Sequence, residues 1–172
     1  FTYREALKKI KEIAYYLVAS GAKKGDKIAV TGKNSPEWAL AYFAISFAGC
    51  TIVPLDYSLH IEDMEKILTF GDVDRVFIDG EKINELDKDG KLFKEKISLE
   101  KASKGYKYIL DLEGPEVELP KLKCEDTAAI LFTSGTTGTP KGVMLSFTNF
   151  MSSTLSSQRL FNVYSSDVFY VI

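Results

Sequence analysis

Histidine and cysteine are nearly missing from this chain: one histidine, His60, and two cysteines, Cys50 and Cys124, stand in 172 residues. A single histidine excludes a histidine-built metal cluster, and its place just before Ile61 and Glu62 reads as a surface or capping position. Two cysteines without metal-ligand spacing, one of them in an apolar stretch, exclude a disulfide framework and read as reduced thiols, which fits a cytoplasmic setting. Long hydrophobic runs are missing too. The most apolar stretch, Trp38 to Phe47, lies between Pro36 and Gly49 and falls well short of the ~20 residues that a membrane-spanning helix needs, which leaves at most a peripheral membrane contact. Nor does one sign of charge dominate, since 22 basic and 24 acidic side chains leave a net charge of −2. With no basic stripe interleaved with aromatics, nucleic acid is not the expected partner. The lysines that do cluster, Lys8, Lys9 and Lys11 and then Lys91, Lys94 and Lys96, have acidic neighbours in Glu12 and Glu95 and read as solvated helix faces.

What the chain has is 45% hydrophobic residues against 27% charged, enough for one domain with its own core. Helix and strand signals alternate along it. Thr2 to Ser20 reads as a helix, with Thr2 and Glu5 at capping-box spacing, Gly21 past its end, and Tyr3, Leu7, Ile10, Ala14 and Leu17 as its apolar face. Lys27 to Thr31 and Thr51 to Leu55 read as strands around a helix, Pro36 to Ala48, that Ser35 caps and proline begins. A helix from Ile61 to Phe70 leads to a strand from Arg75 to Asp79, and the intervening Asp72 and Asp74 flank a turn where carboxylates commonly bind their own backbone. The charged stretch Glu81 to Lys104 reads as partly helical with a break at Asp89-Gly90, and Tyr106 to Leu112 as another strand. Such βαβ repetition implies an α/β fold, a doubly wound and mostly parallel sheet with flanking helices over residues 1–113. Residues 114–125 read as a linker to residues 126–172, a hairpin followed by a helix, Thr148 to Leu160, and a strand that starts at Asp167. Starting without methionine and stopping inside the apolar run Val168 to Ile172, the chain is expected to be part of a larger N-terminal domain.

The hairpin carries the most specific chemistry. Between the strand-like runs Asp126 to Thr133 and Gly142 to Ser146 lies Ser134-Gly135-Thr136-Thr137-Gly138-Thr139-Pro140-Lys141. Gly135 and Gly138 permit backbone angles that let main-chain N–H groups converge on an anion. Hydroxyls of Thr133, Ser134, Thr136, Thr137 and Thr139 add neutral donors or a magnesium ligand. Lys141 adds a point charge, and Pro140 limits how that charge is presented. The pattern is that of a polyphosphate site, yet Walker A is excluded because Gly142 and not a hydroxyl follows the lysine, and no G-x-G-x-x-G occurs. Strands on both sides leave backbone amides, and not a helix dipole, to do most of the cradling. Ser134 lacks the G-x-S-x-G setting of a hydrolase nucleophile.

The run TSGTTGTPKGVMLS resembles the phosphate-loop signature of the adenylate-forming (AMP-binding) superfamily, which includes acyl-CoA synthetases, luciferases and the adenylation domains of peptide synthetases. Phe1 to Glu5 and Gly25 to Val30 are similar to that family's opening T-Y-x-E helix and G-D-x-V-A strand. Asn34 to Trp38 and Gly49 to Asp56 are similar to its N-x-P-E helix and V-P-L/I strand end. The resemblance implies ATP-dependent activation of a carboxylic acid through an acyl-adenylate, with release of pyrophosphate, followed by transfer to coenzyme A and release of AMP. It implies that Thr133, Ser134, Gly135, Thr136, Thr137, Gly138, Thr139 and Lys141 hold the phosphates of ATP, that Lys141 is catalytic, and that Thr133 contacts Mg2+. Asn34-Ser35-Pro36-Glu37-Trp38 looks more like fatty acyl-CoA synthetases, and Tyr57-Ser58-Leu59-His60 departs from the D-P-x-Y-P run of peptide synthetases, so a long-chain fatty acid is the favoured substrate. Phe147 stands where many relatives carry histidine. The family's aromatic-G-x-T-E segment, ribose-binding aspartate, hinge and C-terminal lysine are not in these residues, so the chain alone is expected to be inactive. Another carboxylate (aryl, amino or short-chain), a non-catalytic ATP- or pyrophosphate-binding remnant, and a purely structural role stay open, as does a homodimer.

Overall fold

Local signals start each helix. The Thr2 amide donates to the Glu5 carboxylate at 2.7 Å and the Glu5 amide to the Thr2 hydroxyl at 3.3 Å, closing the capping box that opens α1, Tyr3–Ala19. The Trp38 amide donates to the Ser35 hydroxyl at 3.1 Å, and Pro36 stands first in α2, Pro36–Phe47. Helices α3, Ile61–Phe70, and α4, Gly80–Ile83, follow. The Asn149 amide donates to the Ser146 hydroxyl at 3.3 Å at the start of α5, Phe147–Leu160. This computed structural model describes residues 1–101, 103, 105–133, 140–161, 164 and 166–168.

Seven strands form one sheet: β1 Lys27–Thr31, β2 Thr51–Pro54, β3 Arg75–Ile78, β4 Glu95–Ser98, β5 Lys107–Tyr108, β6 Thr127–Thr133 and β7 Lys141–Ser146. Their order is β5-β4-β3-β1-β2-β6-β7. Every neighbouring pair is parallel except the β6/β7 hairpin, which extends the same sheet beyond β2. Because β2 lies on one side of β1 and β3 on the other, the strand order reverses at the carboxyl end of β1. In open α/β sheets ligands bind in the crevice beside such a reversal.

The pleat sends alternate side chains into two cores. Ile28, Val30, Ile52, Phe77 and Ile97 face α1 and α2, whereas Ala29, Val53, Val76 and Ile78 face α3 and α4. Helices on both faces are what a doubly wound sheet requires, and near-continuous apolar strands follow from burial on both sides.

Several sequence expectations are corrected. Among the described residues, Glu81 to Lys104 is helical only in the single turn of α4 and turns, as expected, at Asp89-Gly90, where Gly90 has φ +65, but Glu95–Ser98 is a parallel strand that was not expected. Charged Glu95 and Lys96 hid that strand; β4 lies next to the edge strand β5, which pairs only with Ile97 and Ser98, so Glu95 and Lys96 have no strand partner on that side. Lys96 Nζ donates to the Leu86 carbonyl at 2.9 Å, so the lysines of this stretch are not a helix face. The strand expected over Tyr106 to Leu112 is only Lys107–Tyr108, followed by a 3-10 turn, Ile109–Asp111. In α1 the buried stripe is Ile10, Ile13, Ala14 and Leu17; Tyr3 and Leu7 are exposed, so burial begins only at the third turn of the helix. Asp72 and Asp74 pair with Lys27 at 3.7 Å and with Arg75 at 3.6 Å instead of binding their own backbone. The strand expected to start at Asp167 runs into residues outside those described.

Candidate functional site

The two ends of the glycine-rich loop meet across the hairpin, where Thr133, last in β6, pairs with Lys141, first in β7. Because β6 runs parallel to β2 in register Ile52 to Ala129, this pair sits at the carboxyl edge of the sheet, where β1, β2 and β3 also end. A hydroxyl and an ammonium group are thus held side by side on hydrogen-bonded backbone. Ser134, Gly135, Thr136, Thr137, Gly138 and Thr139 lie outside the described residues. Among the described residues, no carboxylate is ion-paired with Lys141.

The base of the hairpin is anchored to the sheet. Lys24 Nζ lies 2.6 Å from the Asp126 carboxylate, which also accepts the Lys123 amide at 2.7 Å. These donors, the lysine first, hold the Asp126 carboxyl below the usual aspartate range. The Thr51 hydroxyl donates to the Thr127 carbonyl at 3.1 Å, tying β2 to β6 beside the parallel ladder.

A cleft of about 580 Å³ opens next to the pair, bounded by Thr133 and Pro140 on the hairpin and by Leu55, Asp56, Leu59, Asp63, Lys66 and Ile67 on the β2–α3 connection and α3. Its volume is within the ~300–1,000 Å³ of small-molecule sites. Phe132 forms part of its floor and meets Phe70 edge-on, with ring centroids 6.2 Å apart. The wall formed by residues 55–60 is braced from behind. Lys82 Nζ donates to the carbonyls of Leu59, at 2.8 Å, and Tyr57. The Tyr57 hydroxyl donates to Glu81 at 2.9 Å, and Lys33 Nζ pairs with the same carboxylate at 2.8 Å. Lys33, and next Tyr57, hold the Glu81 carboxyl below its ordinary value. Behind them Asp79 accepts the Lys33 amide at 2.7 Å. Burial is the main cause that pushes the Asp79 carboxyl up.

Sequence reading missed this bracing cluster of Lys33, Tyr57, Asp79, Glu81 and Lys82. The available signal was position: each residue falls within a few places after a parallel strand, so the topology collects them at one edge. Elsewhere the expected inert residues are in place. His60 precedes α3, exposed, without a side-chain cap bond. Cys50 is buried and Cys124 exposed, both as free thiols. Burial, then the nearby Asp26, pushes the Cys50 thiol up to about 12. Among the described residues no group of three or more histidine, cysteine, aspartate or glutamate side chains could hold a metal ion, and no helix is long and apolar enough to cross a membrane.

Comparison with known proteins places this geometry in context. The chain matches the AMP-binding enzyme family over residues 1–172. It is 33% identical over 164 residues to long chain acyl-CoA synthetase 4 of Arabidopsis thaliana, an alignment that covers 84% of this chain and 25% of that protein. The chain therefore spans about a quarter of the length of that curated relative. Among solved structures, apo MatB from Rhodopseudomonas palustris matches with a TM-score of 0.78 at 27% identity, covering 91% of this chain and 32% of its own. The O-succinylbenzoate coenzyme A synthetase of Bacillus subtilis, solved with ATP and magnesium ion, matches in fold with a TM-score of 0.80 at 24% identity, covering 95% of this chain and 33% of its own.

Proposed function

Because the chain belongs to the AMP-binding enzyme family, we propose that it supplies the phosphate-gripping part of an ATP-dependent acid–thiol ligase. In the proposed reaction a carboxylate oxygen attacks the α-phosphorus of ATP, the bond to the β-phosphate bridging oxygen breaks, and acyl-adenylate and pyrophosphate form. The thiol of coenzyme A then attacks the acyl carbon and AMP leaves. The observation that carries this reading is the cross-strand pairing of Thr133 with Lys141 at the carboxyl edge of the sheet.

Each residue has a physical task. The Lys141 ammonium neutralises negative charge that builds on the departing pyrophosphate, and stabilisation of charge developed only in the transition state raises rate more than ground-state affinity. The hairpin fixes where the loop begins and ends, which lowers the entropy lost when it orders around phosphates. The Thr133 hydroxyl is a neutral oxygen donor that suits Mg2+, a hard ion that keeps most of its ligands from water and substrate phosphates. Such an ion needs no carboxylate cage. When bound, the ion offsets phosphate charge.

A long-chain fatty acid is the substrate this reading favours, supported by the long chain acyl-CoA synthetases among the relatives. The 172-residue chain by itself is read as inactive. The test is pyrophosphate release by the full-length protein carrying this chain, with magnesium-ATP and fatty acids of graded length, with and without coenzyme A. Acid-dependent release with sustained turnover only in the presence of coenzyme A is expected. Release that ignores the acid would overturn the reading.

A further inference from the structure

Three neighbouring strands of the sheet, β3, β1 and β2, end side by side where the strand order reverses. Lys82 follows β3, Lys33 follows β1 and Tyr57 follows β2, and the three side chains meet across the strand ends. The Tyr57 ring has the Lys82 ammonium 4.6 Å and the Lys33 ammonium 5.9 Å from its centroid, distances at which a cation is drawn to an aromatic face.

Lys82 is the member of this cluster that grips the cleft wall. Residues 55–60 lie between β2 and α3, outside any strand or helix, so their shape depends on turns and side chains. The Ser58 amide donates to the Asp56 carboxylate at 2.8 Å and the Leu59 amide to the Asp56 carbonyl at 3.2 Å, which bends the segment. Lys82 Nζ donates to the carbonyls of Tyr57 and, at 2.8 Å, of Leu59, which fixes that bend to α4. Two of the three ammonium N–H groups are thereby spent on main-chain oxygens, so Lys82 is set up to hold the wall and not a ligand. Its own backbone is rigid, because Asp79, just before α4, and Ile83, its last residue, are both buried.

What the wall faces gives this brace a part in the reaction. Leu55, Asp56 and Leu59 line one side of the cleft, and Thr133 and Pro140, toward the two ends of the glycine-rich loop, line the other. We infer that Lys82 is a positioning residue: by pinning the carbonyls of Tyr57 and Leu59 it sets the distance between this wall and the hairpin, and so the affinity of the site for magnesium-ATP. The inference rests on the reading of Thr133 to Lys141 as the phosphate-holding segment. A wall held at one distance throughout the reaction contributes equally to ground state and transition state, which moves KM and leaves kcat alone. Lys141, beside which charge develops, acts on kcat instead.

The test uses the full-length protein carrying this chain, with pyrophosphate release followed at saturating fatty acid and varied magnesium-ATP. Lys82→Met keeps an unbranched side chain and removes the donors; it should raise KM for magnesium-ATP about tenfold with kcat within about twofold of wild type. Lys82→Arg, which restores the charge and two donors, should bring KM back to within about threefold of wild type. Hydrogen exchange of the Ser58 and Leu59 amides should be about tenfold faster in Lys82→Met, a readout that needs no turnover. A merely structural role would lower the melting temperature and the apparent kcat without moving KM; that result overturns the inference, as does unaltered exchange. Where Lys82→Met does not fold, Tyr57→Leu, which keeps the lysine and both carbonyls and removes the ring beneath the charge, should raise the same KM about threefold, and an unchanged KM refutes the positioning role. Lys141→Ala separates the two failures. If it is slow while Lys82→Met is kinetically normal, only the positioning role falls; if it turns over at the wild-type rate, the phosphate reading falls and this inference with it.

Discussion

Among the described residues, Gly142 is the glycine whose loss should be felt most directly at the candidate site. It follows Lys141 in β7 and pairs with Phe132 of β6. A Cβ placed there would lie 2.8 Å from Ile130 Cγ2 and 3.2 and 3.4 Å from Cε1 and Cζ of Phe132. The first contact is tighter than side-chain carbons tolerate, and Ile130 cannot swing its branched Cβ aside because its χ1 is stiff. The Phe132 ring is held from its other side by Phe70. Overpacking of this kind costs about 1–3 kcal/mol, whereas replacing glycine by alanine gains about 0.4–1 kcal/mol by restricting the unfolded chain. Gly142→Ala should therefore lose about 1–2 kcal/mol net, read as a lower urea midpoint at unchanged slope. In an Ile130→Ala background the added cost of Gly142→Ala should fall by about half or more, since the tightest contact is gone. A higher midpoint for Gly142→Ala in the wild-type background would refute the steric reasoning outright.

Phe77 is fully buried in β3, and Phe77→Ala should cost about 3–5 kcal/mol in urea denaturation; a loss below 1 kcal/mol would mean the core can collapse around the cavity. Asp87 has φ +54, and although burial opposes its charge, amides of Leu92 at 3.0 Å, Lys91 at 2.8 Å and Phe93 at 3.2 Å outweigh that and hold its carboxyl below the usual range. Asp87→Ala should cost about 2–3 kcal/mol, and Asp87→Asn less, because asparagine tolerates the left-handed backbone. A carboxyl with a depressed folded pKa contributes stability that is present above its unfolded value, about 3.9, and is lost as pH falls through the folded one. The stability gap between wild type and Asp87→Asn should then be constant above about pH 5 and close on acidification, and a gap that widens in acid would contradict it. In the full-length protein Lys141→Ala should slow adenylate formation about 100-fold while leaving the affinity for the acid nearly unchanged; equal rates in single-turnover assays would remove Lys141 from the site. Thr133→Val should weaken the magnesium dependence of the same step, and an unaltered dependence would exclude the metal contact.

The alternation of elements was legible because burial on both sheet faces leaves short apolar runs, as in Lys27–Thr31 and Thr51–Pro54, between capped helices. Caps were legible for the same local reason: Thr2 with Glu5 and Ser35 with Pro36 signal within a few residues. β4 was not legible, since a strand whose outer neighbour β5 pairs only with Ile97 and Ser98 can carry Glu95 and Lys96 in its first half without an apolar pattern. Nor was the exposure of Tyr3 and Leu7, because a helical stripe says which side is apolar and not how much of its length other elements cover.

By itself the sequence determined that this is an α/β chain with a glycine- and hydroxyl-rich segment between Thr133 and Lys141, because composition, caps and strand runs are local properties of neighbouring residues. Only the tertiary structure decided that β6 docks beside β2 and that Thr133 and Lys141 share the carboxyl edge of the sheet with a braced cleft. Strand order and register arise from contacts between residues far apart in the chain, and no local pattern encodes which strand will lie next to which.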